Sequence, residues 1–232
     1  MSNKIVGVIG GMGPEATVDL MGKVISLTPA KDDSDHIRML VDCNPQIPSR
    51  IKALVEKTGD SPAATMINMA KSLEAFGADF LVIPCNTAHY YHAEVAGAID
   101  IPVLNMLEVT VEHILEKHTS AQKVGVLAST AVIQLKLYEK ILVRHAVEVL
   151  APAPAEQKKI MDSIRQIKAG VKTSLVLKPL MDAISFYEAQ GADCIVIACT
   201  EISVVAADLK SNVSLYDASY LLATKIVSVA KT

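Results

Sequence analysis

Two stretches of this chain repeat one another. Residues 72–87 read SLEAFGADFLVIPCNT and residues 186–201 read FYEAQGADCIVIACTE. At a constant offset of 114 residues, eight of the sixteen positions are identical: Glu74/Glu188, Ala75/Ala189, Gly77/Gly191, Ala78/Ala192, Asp79/Asp193, Val82/Val196, Ile83/Ile197 and Cys85/Cys199. Each copy reads as a helix end, a Gly-Ala-Asp turn, a buried strand and a cysteine at the strand's carboxyl tip. A second echo sets Val124-Gly125-Val126-Leu127 against Val6-Gly7-Val8-Ile9 at an offset of 118. Duplicated halves facing each other across a pseudo-two-fold axis would bring the two thiols toward one cleft.

Between these landmarks, short β-branched runs alternate with longer helical patterns, the mark of parallel βαβ units. Strands are expected at 4–9, 37–43, 80–85 and 102–104 in the first half, and at 123–128, 147–150, 194–199 and 213–216 in the second. Helices are expected at 14–27, 50–57, 61–77, 89–98, 131–145, 154–169, 174–190 and 218–229. Pro14 suits a first helical position, where its missing N–H would be unpaired anyway. The fold class is therefore α/β: two similar domains, each a four-stranded parallel sheet flanked by helices, related by a pseudo-two-fold axis. The expected boundaries are 1–103, completed by 209–232, and 104–208, with the active site in the cleft between them.

Composition excludes several classes. With 22 Lys and Arg against 25 Asp and Glu, the net charge of −3 gives no electrostatic reason to expect nucleic acid or an anionic membrane as partner. The mean hydropathy of +0.35 is high, yet no stretch approaches the roughly 18 unbroken apolar residues of a spanning helix. Strands buried on both faces of a parallel sheet account for the excess. The opening residues run directly into a strand and a Gly-rich turn without a leader pattern, so the four cysteines are expected as free thiols in a reducing cytoplasm. Their spacing offers no CxxC pair for zinc.

In open parallel sheets, ligands bind beyond the carboxyl ends of the strands. That rule selects the loops at 10–15, 44–50, 85–89 and 199–203. Cys43 and Cys194 read as ordinary core cysteines. Cys85 and Cys199 differ, since each ends a strand, precedes polar residues and opens a helix. Backbone N–H groups and the dipole at such a terminus are expected to lower the thiol pKa. A thiolate facing a thiol across one carbon can remove a proton from one side and return it from the other, in either direction. Asn86, Thr87 and Thr200 are candidate donors to the carboxylate that shares the developing charge. The turn at 11–16 formally fits GxGxxG/A, with Asp42 as a ribose partner, but its amides can equally cradle a carboxylate. His89 and His92 are expected on a helix surface. Glu201 is expected either to orient a substrate ammonium group or simply to cap a helix.

GGMGPEAT at 10–17, NPQIPSR at 44–50, PCNTAHYY at 84–91, KAG at 168–170 and ACTEIS at 198–203 together resemble the aspartate/glutamate racemase family, and within it the aspartate racemases. The resemblance spans essentially the whole chain. It implies catalytic cysteines at Cys85 and Cys199, a substrate dicarboxylate held by Arg50 and Lys168, and pocket positions at Met12 and Gln46. It also implies homodimers, no pyridoxal phosphate and no metal. Glu201 stands where glutamate racemases carry His, a departure toward the aspartate branch. The expected activity is cofactor-independent interconversion of L- and D-aspartate by two thiols. Glutamate, hydantoins or other small dicarboxylates are the rival substrates; a thiol–disulfide switch and a non-catalytic anion-binding protein are the rival functions.

Overall fold

A computed structural model describes residues 4–232 and divides the chain into two compact units. One runs to Val109 and takes back Ser219–Thr232; the other is Thr110–Ala218. The returning segment is thus shorter than 209–232, for a simple reason. The strand Ser214–Asp217 pairs in the second sheet, so only the last helix belongs with the first unit.

In the first unit, β1 (Val6–Gly10) is flanked by β2 (Met39–Cys43) and β3 (Phe80–Val82), all parallel. In the second, β4 (Lys123–Ala128), β5 (Glu148–Leu150), β6 (Cys194–Ala198) and β7 (Ser214–Asp217) lie in the order β5-β4-β6-β7, again all parallel. Every residue of β1 and β6 is buried, as strands covered by helices on both faces require. The first sheet has three strands rather than the expected four. Residues 102–104 meet β3 through a single bridge, Leu81 to Val103, with Leu81 N–H donating to Pro102 O at 2.8 Å and Leu104 N–H to Leu81 O at 2.9 Å. Pro102 has no N–H with which to extend the ladder backwards. The next forward donor, Met106 N–H, is given to a histidine ring instead.

The helices follow the expected order, with differences at several places. The expected helix at 131–145 is broken into α5 (Thr130–Gln134) and α6 (Glu139–Leu142), with Lys136 at φ 54° between them. An unanticipated helix, α4 (Met106–Lys117), joins the halves. Its sequence carried the signal: Asn105 Oδ1 accepts from Leu107 and Glu108 N–H, ahead of the buried stripe Leu107, Val111 and Ile114. Among the described residues no helix is long and apolar enough to cross a membrane.

The repeated residues have matching duties. Asp79 Oδ2 accepts from Ile5 N–H at 2.6 Å, and Asp193 Oδ2 accepts from Gln122 and Lys123 N–H at 2.7 and 2.9 Å. Each ties the turn before a strand to the entry of the central strand. Glu74 Oε1 receives Asp100 and Ile101 N–H, while Glu188 receives Asn212 N–H and the Ser211 hydroxyl, both fixing the approach to the next strand. Gly77 and Gly191 end helices α2 (Ala63–Ala75) and α8 (Ser174–Ala189) with φ of 97° and 77°. Ala75 and Ala189 close those helices; Ala78, Val82, Ile83 and their counterparts fill cores. The cysteines alone carry a reactive group that these structural duties do not use.

The central strands also share a glycine. A Cβ on Gly7 would meet Leu81 Cδ2 at 2.3 Å and Leu73 Cβ at 3.3 Å; one on Gly125 would meet Tyr187 Cγ at 2.7 Å. Leu73 and Tyr187 are equivalent at the 114-residue offset. Tyr187 is fully buried, and its hydroxyl donates to Val126 O at 2.7 Å.

Candidate active site

Both candidate thiols stand at carboxyl strand edges. Cys85 lies just beyond β3, where Pro84 ends regular pairing, and Cys85 N–H turns back to Ile83 O at 2.8 Å. Its side chain is buried in the apolar cluster that also contains Ile9, Met12 and Ile47. Asn86 and Thr87, buried beside it, begin a tight 3₁₀ turn, Thr87–Tyr91. Met12 thus shares a buried cluster with the first thiol. Arg50 reaches the same loop: Nη2 donates to Met12 O and Nη1 to Pro48 O, both at 3.3 Å. The guanidinium has five donors, so two long carbonyl bonds leave capacity for a carboxylate. Gln46 is exposed, its backbone held by Asn44 Oδ1 at 2.9 Å.

Gly11 shapes that loop. Its φ is +93°, and a Cβ there would lie 2.3 Å from Asn44 C and O. The chain after β1 and the chain after β2 thus touch backbone to backbone. Gly11 N–H is taken by Thr17 Oγ1 at 2.9 Å, whose own hydroxyl donates to Gly13 O at 3.1 Å.

Cys199 directly follows β6 and is the N-cap residue of the short helix α9 (Thr200–Ser203). Its Sγ donates to Glu201 Oε2 at 3.1 Å. Lys168, the last residue of α7 (Pro154–Lys168), places Nζ 3.1 Å from Glu201 Oε1 as an ion contact without hydrogen-bond geometry. Thiol, carboxylate and ammonium thus form a chain. Burial first, then the Glu201 charge and hydrogen bond, push the Cys199 thiol well above the ordinary range, against smaller lowering by Lys168 and backbone donation. The helix-terminus argument predicted the opposite direction. It fails because burial and the adjacent Glu201 carboxylate outweigh the weak dipole of a single-turn helix. Near neutral pH Cys199 therefore rests as the thiol. Replacing Glu201 with Gln removes that charge, so the pH midpoint of Cys199 alkylation should move down, as measured by peptide-resolved iodoacetamide labelling.

The other cysteines divide. Cys194 is fully buried, its thiol pushed up to about 12 by burial, as expected for a core residue. Cys43 is exposed, because β2 lies at the sheet edge and Cys43 is its last residue; the core reading of that residue was incorrect.

His89 is also not a surface residue: it is only 6% exposed. Its Nδ1 lies 2.9 Å from Cys85 O, and its Nε2 accepts from Met106 N–H at 3.0 Å. Burial lowers its pKa to about 4. Half-buried His92 stacks on it at 5.8 Å and reaches Val103 O at 2.9 Å. The periodic reading failed because residues 87–91 form a 3₁₀ turn, which rotates side chains differently from an α-helix. The unfolded chain binds a proton near pH 6.5 and the folded chain only near 4. Stability should therefore be fully present above 6.5 and decline as pH falls through that window, by on the order of 3 kcal/mol. Urea denaturation at pH 7 and 4.5 should show the drop, and His89→Asn should remove that part of it.

The chain and its fold have counterparts. The Asp/Glu/hydantoin racemase family model matches residues 9–226. The broad specificity amino-acid racemase RacX of Bacillus subtilis (strain 168) is 31% identical over 231 residues, 97% of each chain. The Picrophilus torridus aspartate racemase structure superposes with a TM-score of 0.87 at 31% identity, covering 98% of this chain and 94% of that one. A glutamate racemase structure from Francisella tularensis shares the fold at a TM-score of 0.70 and 18% identity, covering 99% and 81%.

Proposed function

The chain belongs to the Asp/Glu/hydantoin racemase family, and we propose that it interconverts L- and D-aspartate by a cofactor-independent two-thiol reaction. The observation that carries the reading is the repeat itself: two buried cysteines at equivalent strand tips, with Cys199 held as a thiol by burial and by Glu201. One sulfur, as thiolate, removes the α-proton; the other, as thiol, delivers a proton to the opposite face of the carbanion. The reading requires both sulfurs to face one α-carbon from opposite sides. Arg50 and Lys168 supply the cations for a dicarboxylate, and the side chains of Asn86, Thr87 and Thr200 supply donors for the carboxylate that takes up the charge. Met12 and Gln46 bound the pocket from their loops, and Glu201 tunes Cys199.

Aspartate is favoured by the two cations and by likeness to an aspartate racemase; likeness to a broad-specificity enzyme supports a wider range. The deciding experiment is chiral chromatography of aspartate, glutamate and a panel of neutral amino acids incubated with the protein and no added pyridoxal phosphate. Conversion of aspartate fastest among them supports the proposal. A neutral substrate turned over faster would transfer the reading to a broad-range racemase, and no turnover of any amino acid would end it. We further propose that the protein acts as a cytoplasmic homodimer.

A further inference from the structure

We infer that His89 is a positioning residue for Cys85, a neutral imidazole strut joining the thiol's own peptide to the start of α4. The hydrogen bonds define its proton. Met106 N–H can only donate, so Nε2 must be bare, and the ring proton sits on Nδ1, where it donates to Cys85 O. Cys85 O also accepts Ala88 N–H at 3.2 Å, so both its lone pairs are used. Fixing that carbonyl fixes the Cys85 backbone torsion and with it the Cα–Cβ direction along which the sulfur points. It also polarises the next peptide, strengthening Asn86 N–H as a donor. His89 touches no reacting atom itself.

The repeat supports the assignment. At the same offset from Cys199, position 203 is a buried serine whose Oγ lies 3.4 Å from Cys199 O and 2.5 Å from Asp217 Oδ1. Four residues after each thiol, therefore, a buried side chain links the cysteine carbonyl to a separate element: α4 in one half, the end of β7 in the other. Met106 N–H, a first-turn donor of α4 with no partner inside the helix, is given to this ring. A ring that merely filled space would need neither bond.

The rate effect rests on the racemase reading, whereas the effect on the thiol does not. Three proteins are compared: wild type, His89→Ala and His89→Asn, the last retaining a donor near the Nδ1 position. His89→Ala should lower kcat by about 10- to 100-fold with KM within about threefold, as a displaced reacting group does. Its Cys85 alkylation rate should change severalfold while that of Cys199 does not, and His89→Asn should recover at least about tenfold of the lost rate. Folded His89→Ala protein with unaltered Cys85 alkylation would overturn the inference, as would Asn performing no better than Ala. If the Ala variant does not fold, Asn decides alone: kcat within about threefold of wild type sustains the strut, and a larger loss refutes it. Should wild type racemise nothing, the functional reading falls, and the Cys85 labelling comparison still tests His89.

Discussion

Replacing Cys85 or Cys199 with Ser should each abolish racemisation, lowering turnover by at least about a thousandfold, because general acid and base steps contribute at that scale and a serine hydroxyl cannot serve as either near neutral pH. The informative part is what survives. In heavy water each variant retains one competent sulfur, which can remove the α-proton from one enantiomer and return deuterium to the same face. Cys85→Ser should therefore label one enantiomer of aspartate and Cys199→Ser the other, both without inversion. Proton NMR of the α-position with chiral chromatography reads both quantities. Full racemisation by either variant, or labelling of both enantiomers by one, would break the two-thiol scheme.

Gly11→Ala should be the most damaging single methyl in the first unit. The left-handed φ alone costs about 1–3 kcal/mol for a residue with a Cβ, and the new carbon would sit 2.3 Å from the Asn44 backbone, which cannot rotate away. The loops after β1 and β2 must separate, carrying Met12 and the Arg50 contact with them. We expect a loss of about 3 kcal/mol or more, or insoluble protein. Gly22→Ala is the matched control. Gly22 is exposed inside α1 (Pro14–Leu27), with nothing within 4 Å of a built Cβ. That change should stabilise the protein by about 0.5–1 kcal/mol, a rise in Tm of a few degrees. Thermal melts of the two variants should move in opposite directions.

Much of this was legible in the chain. Apolar runs marked strands ending at Cys85 and Cys199, and the strands stop at Val82 and Ala198, just short of the two thiols; the helix starting at Pro14 also followed from sequence. What escaped depended on contacts distant along the chain. The pKa direction of Cys199 comes first from burial and then from Glu201, neither of which spacing reveals. The burial of His89 follows from a 3₁₀ turn where α-periodicity was assumed, and its partner Met106 begins a helix left unassigned. The shortfall in the first sheet was readable, because Pro102 denies its own strand a ladder donor.

The tyrosine lying against Gly125 has a consequence for the ancestry written in the repeat. Its counterpart in the other half is a leucine facing Gly7, so the two interiors no longer have the same volume or the same polarity. A chimera that set the helix of one half against the sheet of the other would force a ring into a space shaped for leucine, or leave a void where that ring had been. The halves still share a plan, but they have ceased to be interchangeable parts.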